Sequence, residues 1–299
     1  MNTPLAPFLG LSDRARGVTL VLTAGVFWSF AGLAVRLIED ANEWQILFFR
    51  SVSLIAFLSL YFIVIRRRKT IQVFKECGWA GFFAGLALGT AFCAWIHALT
   101  HTTVANALFL LSTSPFFAAL LGWWILGEKV SVALFWFIAL AIFGVAIMVM
   151  EGYQLGTLFG TIMGVTAAIG FGLFAVLLRK GRSSDLVPAV FWAGFWAIVI
   201  SGTVIFFSSA RFEITENDML YCALMGVFQV GLGLIIFTRG ARYLPAAEIT
   251  LLSLTEIVLG PLWVWLVVGE VPGLLTVIGG FVVLSSIAGQ AFYTIRGPS

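Results

Sequence analysis

The sequence predicts an all-α integral membrane protein whose ten transmembrane helices form a 5+5 inverted repeat around a central cavity. Three observations lead there. The chain is 61% hydrophobic and 10% charged, a balance that water-soluble domains do not have. Its apolar residues gather into ten runs of roughly twenty, the length that carries a helix across about 30 Å of hydrocarbon. Finally, the stretch from His97 to Val130 returns from Arg239 to Val271. An offset of 142 residues places Ala105 on Ala247, Leu110 on Leu252, Trp123 on Trp265 and Gly127-Glu128 on Gly269-Glu270.

The ten runs lie near 18–38, 44–65, 78–99, 103–126, 131–150, 155–178, 187–208, 218–238, 246–268 and 273–294. Unpaired backbone groups are too costly in lipid for open strands, so runs of this kind are helices. The chain then divides into a tail over 1–16, a first five-helix repeat over 17–150, a second over 151–295 and a closing tail over 296–299. Arg14 and Arg16 precede the first run as they would in a signal peptide. That run is too long for one, and its counterpart in the second half argues that it is retained.

Lys and Arg cluster in 14–16, 66–75, 179–182 and 239–242, with Lys129 and Arg296, against Arg36 and Arg211 on the other side and Arg50 within a span. By the positive-inside rule both termini face the cytoplasm, as expected of a multi-pass protein of a bacterial-type inner membrane. The net charge of +3 is spread over these loops, so it reports topology and not a nucleic-acid partner. Cys77, Cys93 and Cys222 have no ligand spacing, and neither a metal nor a disulfide is expected. Gly170 to Ala175 formally matches a dinucleotide fingerprint, yet no strand precedes it and no acidic residue follows at the required distance, so no cofactor is expected.

Five spans per half is an odd number. Each second-half element therefore enters the membrane from the side opposite to its counterpart, the arrangement from which transporters build two mirror-related gates around a midplane site. Glycines 81, 85 and 89 in the third span and 156, 160 and 164 in the sixth predict close helix contacts along flat stripes. Interfacial belts account for Trp44, Trp79, Trp123, Trp124, Trp263 and Trp265. Trp28 lies too deep for a belt and either fills a helix junction or faces a substrate path.

At the same offset Asn106 matches Glu248 and Ser114 matches Glu256. Eight residues are a little over two helical turns, so each pair is expected on broadly one face. Glu256 lies near the middle of its span. A carboxyl there costs roughly 3 kcal/mol to insert, which the surrounding Leu, Ile and Val offset at about −0.5 kcal/mol each. It still requires a partner or a wet cavity. Glu256 is read either as a proton site and charge partner for a substrate amine, or as a neutral acid tying helices through Ser114 or Gln229. Arg50 is read as snorkelling to the loop that carries Glu39, Asp40 and Glu43. Glu248 is read as pairing with Arg239 or Arg242, and His97 and His101 as closing the turn before Thr103.

Ala98-Leu99, His101, Ala105-Asn106-Ala107, Ser114-Pro115-Phe116 and Leu126-Gly127-Glu128-Lys129 resemble the hallmark of the EamA family of the drug/metabolite transporter superfamily. Ala241, Tyr243, Ala246-Ala247 and Gly269-Glu270 repeat it in the second half. The resemblance implies a ten-helix secondary transporter, most often one exporting amino acids or other small metabolites. It also implies a cavity lined by the first, third, fourth, sixth, eighth and ninth helices. Carried over by position, that gives Trp28, Ser29, Trp95, Asn106, Ser114, Phe171, Gln229, Thr250 and Glu256 as substrate-binding residues; the proton-coupling reading of Glu256 comes from its own place in the span and not from the resemblance, whose second-half pattern it departs from. The aromatic-rich interior resembles the branch that exports aromatic amino acids. The expected partners are a small-molecule substrate and the lipid bilayer, with no nucleic acid. A passive facilitator or channel for small amphipathic solutes is the alternative. No nucleophile, base and orienting group occur together within the spans, so an enzyme is not expected.

Overall fold

The computed structural model describes residues 12–128, 131–181, 187–208, 212–244 and 246–296, with side chains for all of these except 68, 154, 246–248, 250–251 and 294–296. Among the described residues there are twelve α-helices, four short π- or 3₁₀-helical segments and no strand. They are α1 (Asp13–Arg36), α2 (Glu43–Tyr61), α3 (Thr70–His101), α4 (Val104–Leu111), α5 (Ser114–Leu126), α6 (Val132–Gln154), α7 (Leu158–Lys180), α8 (Val187–Phe207), α9 (Glu216–Leu224), α10 (Gly233–Gly240), α11 (Ala246–Val268) and α12 (Leu274–Arg296).

These make ten spans, because α4 with α5 forms the fourth and α9 with α10 the eighth. Nine segments are long and apolar enough to cross a membrane among the described residues, and α11 adds the tenth through Leu252–Val268. Large apolar side chains such as Trp79, Trp124, Phe143 and Phe206 are exposed around the outside, as a lipid-facing surface requires. An even number of spans brings both ends of the chain to one side, the terminal face; the other side is the far face.

Local sequence explains where helices start and break. Asn42 accepts from the Trp44 and Gln45 amides while the Gln45 side chain accepts from the Asn42 amide, a reciprocal cap that opens α2 on the far face. The fourth span is interrupted at Ser112-Thr113. The Ser112 hydroxyl donates to the Phe109 carbonyl and the Thr113 hydroxyl to that of Leu110, while Pro115 occupies the first turn of α5, where its missing N–H costs nothing. By contrast, Pro261 lies inside α11. In the eighth span, Met225–Leu232 winds as a π-helix between α9 and α10, a wide turn that recurs at functional sites.

Packing repeats the internal symmetry. The first span packs on the ninth and eighth, and the fourth and third pack on the sixth; the third lies on the seventh as the second lies on the eighth; the second meets the seventh and the fifth meets the tenth. Exchanging the two halves maps this set of pairs onto itself, so the halves are related by a two-fold axis lying between them. Gly85 and Gly89 let α3 approach α8, where an added Cβ would meet the backbone carbonyls of Ala189 and Ala193. Gly160 and Gly164 likewise admit His101 and Leu110. Gly81 instead packs on Cys77 of its own helix, and Gly156 is in the turn before α7 with φ of 71°.

Candidate functional site

Between the halves lies a cavity of about 420 Å³, a volume that accepts a small metabolite. Its walls are aromatic and aliphatic, with Trp28, Phe92, Trp95, Phe171, Phe174 and Phe237 among them. The Trp28 and Phe237 rings are 5.0 Å apart and those of Phe92 and Phe171 6.2 Å. Into this surface project a few polar groups, Arg50, Ser112, Ser114, Gln229, Ser253 and Glu256. The two broken spans supply half of the polar rim: the Ser112-Thr113 interruption brings Ser112 and Ser114 to the cavity, and the π-helix carries Gln229.

The cavity brings together Trp28, Trp95, Ser114, Phe171, Gln229 and Glu256 of the residues expected from sequence. Trp28 lines the cavity and also packs on Gly233, where an added Cβ would lie 2.6 Å from its Nε1. Ser29 and Asn106 stand outside the cavity lining. The Ser29 hydroxyl donates to the Val26 carbonyl at 2.7 Å and accepts from Trp263 Nε1 at 3.0 Å. Trp263, also stacked on Phe30, is thereby a tie between α1 and α11 and not a free interfacial ring. Asn106 donates to the hydroxyls of Thr102 and Thr161, each at 2.9 Å, joining α4 to α7. The side chains of Thr250 and Glu248 lie outside the described residues.

Glu256 makes no hydrogen bond or ion pair with a described residue, Ser114 and Gln229 included. Gln229 Oε1 is buried without a hydrogen-bond partner. An acid with no partner among the described residues faces whatever fills the cavity.

Arg50 overturns the snorkelling expectation. Its side chain is 2% exposed, its guanidinium carbon lies 4.6 Å from the centre of the Phe92 ring, and its Nη2 is buried with no hydrogen-bond partner. The reason is a close backbone contact: a Cβ on Gly226 would overlap the Arg50 carbonyl oxygen, so the eighth span presses on α2 at this turn and covers it. The acidic loop has other partners. Asp218 accepts from the amides of Glu39, Asp40 and Ala41 at 3.1, 3.2 and 2.9 Å, and Glu43 Oε1 is 3.4 Å from His101 Nε2. His97 and His101 bond to the carbonyls of Cys93 and His97 at the end of α3. No group of three or more metal-ligating side chains occurs among the described residues.

The repeated Gly-Glu pairs close the two ends differently. Gly127 and Gly269 adopt φ of 70° and 73°, the left-handed turn that ends a helix and that glycine adopts without strain. Each thereby turns the following glutamate back against a neighbouring helix. On the far face Arg36 Nε is 2.6 Å from Glu270 Oε2, Glu270 Oε1 accepts from the Val104 amide at 2.7 Å, and Arg36 donates to the carbonyls of Leu99 and Thr102. One cluster thus fastens α1, the α3–α4 turn and the end of α11. On the terminal face Arg179 Nη1 is 2.9 Å from Glu128 Oε2, and both side chains are nearly half exposed. A second cavity of about 770 Å³ opens on that face, lined by Arg66, Arg67, Lys69, Arg239 and Arg242. It adjoins the central cavity one helical turn away, along α8 from Val187 to Val190 and along α10 from Thr238 to Leu234.

This architecture matches known proteins over nearly its whole length. The chain is 23% identical over 275 residues to the pseudopaline exporter CntI of Pseudomonas aeruginosa, spanning 90% of this chain and 93% of that protein. It is 25% identical over 305 residues to human solute carrier family 35 member G1, spanning 92% of this chain and 78% of that one. A solved crystal structure superposes with a TM-score of 0.65 at 17% identity, over 95% of this chain and 99% of its own, which establishes the shared fold. The sequence profile of the EamA-like transporter family matches residues 15–150 and 158–291, once for each half. The chain belongs to the EamA-like transporter family.

Proposed function

We propose that this transporter exports small metabolites, amino acids including aromatic ones, from the cytoplasm across the inner (plasma) membrane by alternating access. The observation that carries the proposal is the central cavity, where an acid without a partner among the described residues, Glu256, stands among aromatic walls between two symmetry-related halves. A bound amine finds a counter-charge there and a ring finds Trp28 and Phe171. With both termini cytoplasmic, substrate arrives through the basic vestibule and meets a far face held by Arg36 and Glu270. Rocking of the halves then loosens that end and tightens the Arg179–Glu128 end. The relative from Pseudomonas is named an exporter of pseudopaline, which favours export of small organic solutes here as well.

Purified protein in liposomes, preloaded with unlabelled phenylalanine and diluted into labelled phenylalanine, tests this. Saturable uptake that accelerates with the internal load is expected. Linear, load-independent flux would mean a passive facilitator.

A further inference from the structure

Arg50 is the charged group of the cavity that no role yet absorbs. It lies about two turns into α2, is almost wholly buried, and is packed on Phe92 with Nη2 unpartnered. Among the described residues no carboxylate pairs with it. A buried cation without a counter-ion is costly even after relaxation, and guanidinium stays charged at physiological pH. The contact with the Phe92 ring offsets part of this cost and supplies no hydrogen-bond acceptor for Nη2. The missing partner is an anion, and the open space beside Arg50 is the substrate cavity itself.

We propose that Arg50 anchors the carboxylate of the transported solute, so that the substrate binds as a zwitterion held between Arg50 on α2 and Glu256 on α11. Guanidinium presents a planar fork of donors matched to a carboxylate, and Glu256 can accept from an ammonium at the other end. The unpartnered Gln229 Oε1 offers a further acceptor for the same ammonium. The two charges cancel within the cavity, so a zwitterion crosses without leaving net charge buried at either station. Solutes with only one charged end leave Arg50 or Glu256 uncompensated and are rejected. This rests on the exporter reading for its cargo, but the charge requirement can be measured apart from it.

Binding to the purified full chain is followed by tryptophan fluorescence with four probes: phenylalanine, phenylalaninamide, 2-phenylethylamine and 3-phenylpropionate. The unaltered protein is expected to bind phenylalanine about ten- to a hundredfold more tightly than the other three, as loss of a charged hydrogen-bond partner implies. Arg50→Gln should weaken phenylalanine and 3-phenylpropionate by that factor, whereas phenylalaninamide and 2-phenylethylamine, no longer facing an uncompensated cation, should bind at least as tightly as before. Equal affinity of the unaltered protein for phenylalanine and phenylalaninamide would overturn the proposal without any variant. So would an Arg50→Gln protein that melts normally and weakens all four probes alike. Counterflow of phenylalanine, measured beside binding, separates the two readings. Carboxylate discrimination without flux would leave the Arg50 anchor standing and remove the exporter, whereas flux without discrimination would do the reverse.

Discussion

Arg36 Nε and Glu270 Oε2 lie 2.6 Å apart on the far face, and Arg179 with Glu128 repeats the pair at 2.9 Å on the terminal face. The two are counterparts under the internal symmetry, yet their surroundings differ. The Arg36 and Glu270 side chains are 20% and 19% exposed, those of Arg179 and Glu128 48% and 43%. Hydrogen bonds to charged groups contribute about 1.5–3 kcal/mol when desolvated, and exposed ion pairs about 0–1 kcal/mol. Arg36→Gln is therefore expected to lower the melting temperature of the purified protein clearly, and Arg179→Gln to leave it nearly unchanged. Equal losses would mean that the two ends are held alike.

Gly127→Ala and Gly269→Ala test the turn that aims these glutamates. Nothing lies within 4 Å of a Cβ at either position, so the penalty is that of a left-handed backbone alone, about 1–2 kcal/mol. Asparagine at the same positions should cost less, because it tolerates this conformation. Unfolding in detergent measures both, and an alanine variant as stable as the parent would remove the explanation of the Gly-Glu motif.

Gly226→Ala places a methyl group on the Arg50 carbonyl oxygen. The eighth span must then move off α2, carrying Gln229 away from Arg50, and phenylalanine counterflow should fall by at least about tenfold. Gly202→Ala serves as the control, since its Cβ would touch only the edge of the Phe48 ring at 3.2 Å. Unimpaired counterflow in Gly226→Ala would show that this contact does not set the cavity.

Glu256→Gln addresses energy coupling. The amide keeps the shape and loses the exchangeable charge. If Glu256 carries the coupled proton, substrate-driven proton movement, read by a pH dye inside the liposomes, disappears in the variant. Undiminished proton movement would remove that role from Glu256.

Much of the fold was legible because lipid imposes so few solutions: apolar length gave the spans, and the doubled Gly-Glu with its constant offset gave the repeat. Of the aromatic lining, Trp28 stood out by its depth in the first span, whereas Trp95 and Phe171 came from the family resemblance and Phe92, Phe174 and Phe237 were not singled out. What failed has physical causes. Asn106 and Ser114 were placed on one face by counting turns along an unbroken helix, but the break at Ser112-Thr113 resets the register, leaving Ser114 on the cavity and Asn106 against α7. Arg50 was assigned to the interface because a cation near a helix end usually reaches water. Only the eighth span pressing on it through Gly226 prevents that, and such contacts between distant segments leave no periodicity to read. Arg36 and Arg179 were counted as topology signals for the same reason. The one available clue was their shared place in the last turn of the first helix of each half.

The central claim is that two inverted halves enclose a cavity reached from one face at a time. Ser253→Cys, in a background with Cys77, Cys93 and Cys222 replaced, puts a single thiol on the cavity wall, and a membrane-impermeant maleimide added to either side of oriented vesicles reports its access. The expected result is labelling from the terminal face alone, slowed by phenylalanine, with labelling from the far face appearing when Glu270→Gln is added. Equal labelling of the Ser253→Cys protein from both faces without Glu270→Gln, or from neither, would contradict it.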